Sequence, residues 1–180
     1  MKKSIFSILI AIYAHFVVAQ NAIDFSFVNP KGKKTLLSSL QGKVVMLNFW
    51  GTWCAPCIKE IPKLNAFVDK YKEEPIEFLA ITTEDEEKVF NFFKNKDVIF
   101  KFQQITNEQE LINKYSNFES EQWNNDALKQ IVTVPLHVII DKKGKVIFYH
   151  KGSLERTLRD DETSNFNSII NEYIEKALDG

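Results

Sequence analysis

The chain has 180 residues, 44% of them hydrophobic and 26% charged, with 23 Lys and Arg against 24 Asp and Glu for a formal net charge of -1. This composition describes one globular domain with a full core. Near-neutrality with no local run of basic residues excludes an electrostatic nucleic-acid binder. The 15 phenylalanines fall largely in alternating or helical positions that suit core packing.

Lys2-Lys3, the apolar stretch Ile5 to Val18 and the small residue Ala19 have the three parts of a secretory signal. The apolar stretch is shorter than the roughly 20 residues of a spanning helix. Cleavage after Ala19 is therefore expected, with an uncleaved N-terminal anchor as the alternative. No cysteine lies near its end, so a lipid anchor is not expected. Residues 1–19 are assigned to this signal and 20–180 to a single domain working outside the cytoplasm, in a periplasmic or secreted setting where disulfides persist.

Asp24 to Val28 alternates, Asn29-Pro30-Lys31-Gly32-Lys33 supplies turn chemistry, and Lys34 to Leu37 can pair back as a hairpin. Val44 to Phe49 is apolar without alternation, the pattern of a strand buried on both faces. A helix beginning near Cys57 carries the stripe Leu64, Phe67, Val68 and Tyr71, and Pro62 should kink it. Ile76 to Thr82 reads as a second buried strand. Glu84 to Glu87 open a helix with acids placed where the helix dipole favours them. Phe100 to Ile105 suggests a short edge strand, and Asn107 is a candidate cap for a helix through Tyr115. Ser116 to Gln130 reads as a long polar loop with Phe118 and Trp123 embedded. Leu136 to Ile140 and Lys145 to His150 flank an Asp-Lys-Lys-Gly turn as a hairpin. Asp160 to Leu178 forms a closing helix with Phe166, Ile169, Ile170, Tyr173, Ile174 and Ala177 at helical spacing. Helices covering a layered sheet accommodate this order.

Cys54 and Cys57 are the only cysteines, two residues apart between the Val44–Phe49 strand and a helix start. Zinc sites need about four ligands, so a lone pair points to redox chemistry. Backbone N–H groups and the positive end of the helix dipole stabilise a thiolate at Cys54 and lower its pKa from about 8.5. Cys54 is the expected nucleophile, and Cys57, one turn on and more buried, the resolving thiol. A purely structural disulfide is the competing reading, although so short a loop constrains the unfolded chain little. No separate peroxidatic cysteine exists, so peroxidase chemistry is not expected. Trp50 reads as packed, and Trp53 as a flat apolar surface for substrate. His137, alternating with buried positions, reads as a structural core or sheet histidine, and His150 is assigned no role.

The Trp53-Cys54-Ala55-Pro56-Cys57 segment, set between strand and helix, resembles the thioredoxin superfamily and within it the TlpA/ResA-type extracytoplasmic thiol-disulfide oxidoreductases. The resemblance extends from about Asp24 to the C-terminus and leaves Ser116 to Gln130 unmatched. It implies a thioredoxin-like α/β fold, a central mixed sheet flanked by helices with an added N-terminal β-hairpin. It also implies protein disulfides as substrates, a membrane electron donor, a monomer, and no cofactor beyond the redox-active Cys54–Cys57 disulfide. Pro56 inside the pair favours the reducing direction by family comparison. ResA-type proteins carry a glutamate at the offset of Glu60, which shares a helix face with Cys57 and is expected to tune the thiols or carry the Cys57 proton; a solvated helix acid is the bland alternative. Thioredoxins proper carry an aspartate where this chain has Asn48, a departure that shifts acid-base work towards Glu60. Val134-Pro135 matches the superfamily's cis-proline loop, expected to dock an extended peptide, with Leu136 a departure from the threonine common there. Trp123, in the unmatched loop, is a candidate substrate contact. A binding or chaperone-like module without turnover and a disulfide-donating oxidant are the competing functions.

Overall fold

The computed structural model describes residues 20–96, 98–118, 133–153 and 166–180. The candidate signal, Trp123 and most of its loop lie outside these. The described elements are β1 (Ser26–Val28), β2 (Lys34–Leu36), β3 (Val44–Phe49), α1 (Ala55–Lys70), β4 (Ile76–Ile81), α2 (Glu86–Lys96), β5 (Gln103–Ile105), α3 (Gln109–Ser116), β6 (Leu136–Ile140), β7 (Val146–Lys151) and α4 (Phe166–Asp179). Five strands form one mixed sheet in the order β5-β4-β3-β6-β7, and β1 and β2 form a separate antiparallel pair. This is a thioredoxin-like fold.

The nearly continuous apolar run of β3 has its reason in this topology. The strand is central, parallel to β4 and antiparallel to β6, and all six of its residues are buried. On one sheet face Val44, Met46 and Trp50 pack with Ile61, Leu64 and Phe67 of α1, Val89 of α2 and Ile170 and Ile174 of α4. On the other, Val45, Leu47 and Phe49 pack with Leu111, Ile112 and Tyr115 of α3 and with Phe27 and Leu37 of the N-terminal hairpin. Gln103 on the edge strand donates to the Val28 carbonyl at 2.6 Å and ties that hairpin to the sheet.

Several boundaries differ from the sequence expectation. α1 starts at Ala55 and passes through Pro62 as one helix. Asn107 does not cap α3: its φ of 63° is left-handed, and Glu108 occupies the N-cap without a side-chain bond. Asparagine tolerates this conformation better than most residues, so it serves the turn and not the helix end. Ser116, assigned to the polar loop, is the buried last residue of α3, and its hydroxyl accepts from the Thr133 backbone at 3.1 Å. The closing helix is described from Phe166, and residues 160–165, where its start was expected, lie outside the described part.

Ile170 is fully enclosed between α4 and the sheet. Truncating it leaves a cavity that rigid neighbours cannot fill. Ile170→Ala is expected to lower unfolding free energy by about 2–5 kcal/mol, read as a lower urea midpoint at unchanged slope.

Candidate active site

β3 delivers the chain to the cysteines through a short turn. The Trp50 amide still pairs with the Ile81 carbonyl of β4 at 3.0 Å, and the Cys54 amide closes the turn onto the Gly51 carbonyl at 3.0 Å. A Cβ at Gly51 would stand 2.8 Å from the Trp53 indole nitrogen, so glycine lets the indole fold over the backbone. Cys54 is the N-cap of α1, and its sulfur accepts from the Cys57 amide at 3.3 Å. Pro56 falls in the first helical turn, where its missing N–H leaves no bond unmade. Cys54 and Cys57 are joined as a disulfide with an S–S distance of 1.98 Å. Their exposures, 4% and 2%, differ less than the sequence suggested, because Trp50, Val134 and the α1 side chains pack against both. Trp53 is 64% exposed and forms an open apolar surface beside the pair. Trp50, as expected, is buried; it stacks on Phe93 and meets Phe92 and Phe100 edge-on.

The turn is held from the side by Glu84, which the sequence reading had taken as one of a run of helix-opening acids. Its carboxylate accepts from the Thr52 amide at 2.6 Å and from the Thr52 hydroxyl at 2.7 Å, and it pairs with Lys88 at 2.6 Å. Burial pushes the Glu84 carboxyl up, but the Lys88 and Thr52 bonds outweigh it and hold the group below its ordinary value.

Glu60 is not a solvated helix acid. It is fully buried, on the α1 stripe that also buries Cys57, Ile61, Leu64 and Phe67. One carboxylate oxygen accepts from the Ser153 hydroxyl at 2.6 Å, and the other lies 3.2 Å from His137 Nε2. On the far side of that imidazole, Asn48 Nδ2 is 3.1 Å from His137 Nδ1. β3, β6, α1 and the residue just beyond β7 each contribute one member. His137 is thus a buried core histidine, and the group against its Nε2 is the candidate acid of the site. The pairing was hidden because Asn48 and His137 meet only through the β3–β6 register, and Ser153 carries no local signal. His150 pairs with His137 across β6 and β7, with ring centroids 6.3 Å apart. Burial, then the neighbouring His137, hold the His150 imidazole below its ordinary value against the opposing Ser153 backbone bond and Glu60 charge.

The Val134–Pro135 peptide is cis. Val134 packs against the cluster containing both cysteines, so the proline loop and the disulfide share one end of the sheet. The Pro135 carbonyl accepts from Gly152 at 2.8 Å. The structure therefore brings Cys54, Cys57, Glu60, Trp53, Val134 and Pro135 to the region around the head of α1, while Trp123 falls outside the described residues. Among the described residues no cluster of His, Cys, Asp and Glu is arranged to hold a metal ion.

A disulfide at the N-cap of the first helix of a thioredoxin-like sheet defines a thiol-disulfide oxidoreductase of the thioredoxin superfamily. The chain belongs to the AhpC/TSA family, whose pattern matches residues 18–149. It is 36% identical over 136 residues to thiol-disulfide oxidoreductase ResA of Bacillus thuringiensis subsp. konkukian, covering 75% of this chain and 70% of that one. To ResA of Bacillus subtilis it is 32% identical over 139 residues, 77% and 69% of the two chains. A putative thiol:disulfide interchange protein DsbE from Chlorobium tepidum shares the fold with a TM-score of 0.63 at 23% identity, covering 89% of this chain and 96% of that one.

Two of the depressed groups, His150 and Glu84, lie beside this site and give the sign of its acid response. Each has a lower folded than unfolded pKa, so its contribution is present above the unfolded value and is lost as pH falls through the folded one. Stability is expected to decline as pH drops below about 6.5, through His150, and again below about 4.3, through Glu84. Thermal melts at a series of pH values check this. His150→Asn should flatten the first decline and Glu84→Gln the second.

Proposed function

We propose that this enzyme reduces disulfides in proteins outside the cytoplasm, with Cys54 as nucleophile and Cys57 as resolving thiol. The observation that carries the reading is Cys54 at the N-cap of α1, its sulfur already accepting the Cys57 amide. Once the pair is reduced, that amide and the helix dipole favour a thiolate on Cys54. The thiolate attacks a substrate sulfur and displaces one substrate thiolate, leaving a mixed disulfide. Cys57 then loses its proton and attacks Cys54, releasing the second substrate thiolate and regenerating the Cys54–Cys57 disulfide. Glu60, buried on the same helix face, accepts the Cys57 proton.

Substrate docks on the proline loop and on Trp53. The Val134–Pro135 loop, packed beside the cysteine cluster, offers the Val134 backbone to an extended peptide, as in strand addition. The exposed Trp53 indole supplies apolar area next to the reacting sulfur. Extracytoplasmic placement rests on the Lys2-Lys3 and Ile5–Ala19 pattern. No helix among the described residues is long and apolar enough to cross a membrane. In that compartment a reductant must be recharged, and a membrane protein passing electrons outward is the proposed donor. Pro56 between the cysteines supports the reducing direction.

Cys54→Ser is expected to abolish reduction of a disulfide-bonded protein, and Cys57→Ser to accumulate a mixed disulfide visible as a shifted band without reductant. Retained function in Cys54→Ser would point instead to a binding module. The potential of the pair, measured by equilibration with glutathione, is expected near that of thioredoxin, about -270 mV; a value near -120 mV marks an oxidant. Trp53→Ala should raise KM for a protein substrate several-fold while leaving turnover of a small disulfide within about twofold.

A further inference from the structure

We infer that His137 is the positioning residue of the resolving step, with Asn48 fixing the tautomer through which it holds Glu60. The inference rests on the proposed role of Glu60 as acceptor of the Cys57 proton. Asn48 presents its amide nitrogen to His137 Nδ1 at 3.1 Å. An amide N–H can only donate, so Nδ1 is the accepting nitrogen and the ring proton lies on Nε2. Nε2 lies 3.2 Å from Glu60 Oε2, at ion-pair distance but outside hydrogen-bond geometry. Ser153 donates to the other oxygen at 2.6 Å. The carboxylate thus has the Ser153 hydroxyl on one oxygen and the imidazole edge against the other. It is oriented by α1, β6 and the end of β7 at once.

Asn48, Glu60 and His137 are each at most 1% exposed, so bulk water cannot replace these donors. The titratable groups facing the imidazole are Glu60 from α1 and His150 from β7. His150 is stacked at 6.3 Å and held below its ordinary value by burial and then by His137 itself.

The proton balance of the step is closed. Glu60 enters as a carboxylate with Nε2 against one oxygen. The Cys57 S–H proton passes to a Glu60 oxygen. The Cys57 sulfur forms its bond to Cys54 as the bond from Cys54 to substrate breaks, and the electron pair leaves on the substrate sulfur. No outside oxidant or base is required. His137 touches neither sulfur in this account and acts only through Glu60.

One equivalent of Ellman's reagent, mixed with the reduced protein in a stopped-flow instrument, separates the two steps. The first thionitrobenzoate released reports attack by Cys54, and the second reports resolution by Cys57. His137→Met, of similar volume with no donor, is expected to slow the second phase about tenfold or more and to move its pH midpoint upward, with the first phase within about threefold. His137→Gln restores an N–H donor and is expected to recover most of the second phase. Asn48→Leu, which releases the tautomer but leaves the His137–Glu60 pair, should slow it several-fold and carries the test if His137→Met does not fold.

An unchanged second phase in His137→Met or Asn48→Leu, equal slowing of both phases, or a His137→Gln variant as slow as His137→Met overturns the inference. Glu60→Gln separates the levels of failure. If it slows the second phase and the His137 variants do not, only the role of His137 fails. If it leaves that phase unchanged, the proton role of Glu60 fails with it. Absence of the first phase in the unaltered protein overturns exchange through Cys54 altogether.

Discussion

A carboxylate with no solvent contact is tolerated in a folded chain only when protein groups replace the water it has lost. Glu60 has the Ser153 hydroxyl on one oxygen and His137 Nε2 at ion-pair distance, 3.2 Å, from the other, and Asn48 meets the far nitrogen of that imidazole. These partners come from β6, the end of β7 and β3, so packing α1 against the sheet and enclosing Glu60 are the same event. An apolar residue at position 60 would extend the stripe of Ile61, Leu64 and Phe67 with no such requirement. The cost of keeping an acid there is what ties the head of α1, and with it the disulfide, to a fixed place over the sheet.

The turn that carries Cys54 is constrained from two further directions. Glu84 grips Thr52 through its amide and its hydroxyl, while Trp50 anchors the strand end among Phe92, Phe93 and Phe100. Between them, Gly51 leaves room for the Trp53 indole to fold back and present its exposed face. The Cys54–Cys57 pair is thereby mounted on a turn held from both sides.

Polar chemistry is concentrated on one sheet face at one end. Asn48 and His137 share the face covered by α1 and α4, whereas Tyr115, buried and pushed well above its ordinary phenol value by that burial, belongs to the opposite core under the N-terminal hairpin. That second core is aromatic and aliphatic, with Phe118 stacked on both Tyr115 and Tyr149 and Phe49 tilted against Tyr115. The division follows from the strict alternation of side chains along β3 and β6, which sends Asn48 and Phe49 to opposite sides.

Local patterns were enough for the redox pair, the central strand, the hairpins and the helical stripes, because each depends on residues adjacent in sequence or one turn apart. Cys54 and Cys57 announced themselves by spacing, and β3 by an apolar run that only a doubly covered strand can bury. The identity of Glu60's partners was different in kind. Glu60 and Ser153 are 93 residues apart, and Asn48 and His137 are 89 apart; nothing local in either pair predicts the other. Likewise Glu84 looked like one acid among several until the β4–α2 junction was placed beside Thr52. The thiol pair and the helical stripes are legible from the chain alone, since sulfur spacing and amphipathic periodicity are short-range. What surrounds the pair is set by the fold, since the β3–β6 register and the seating of α1 fix which buried polar groups meet.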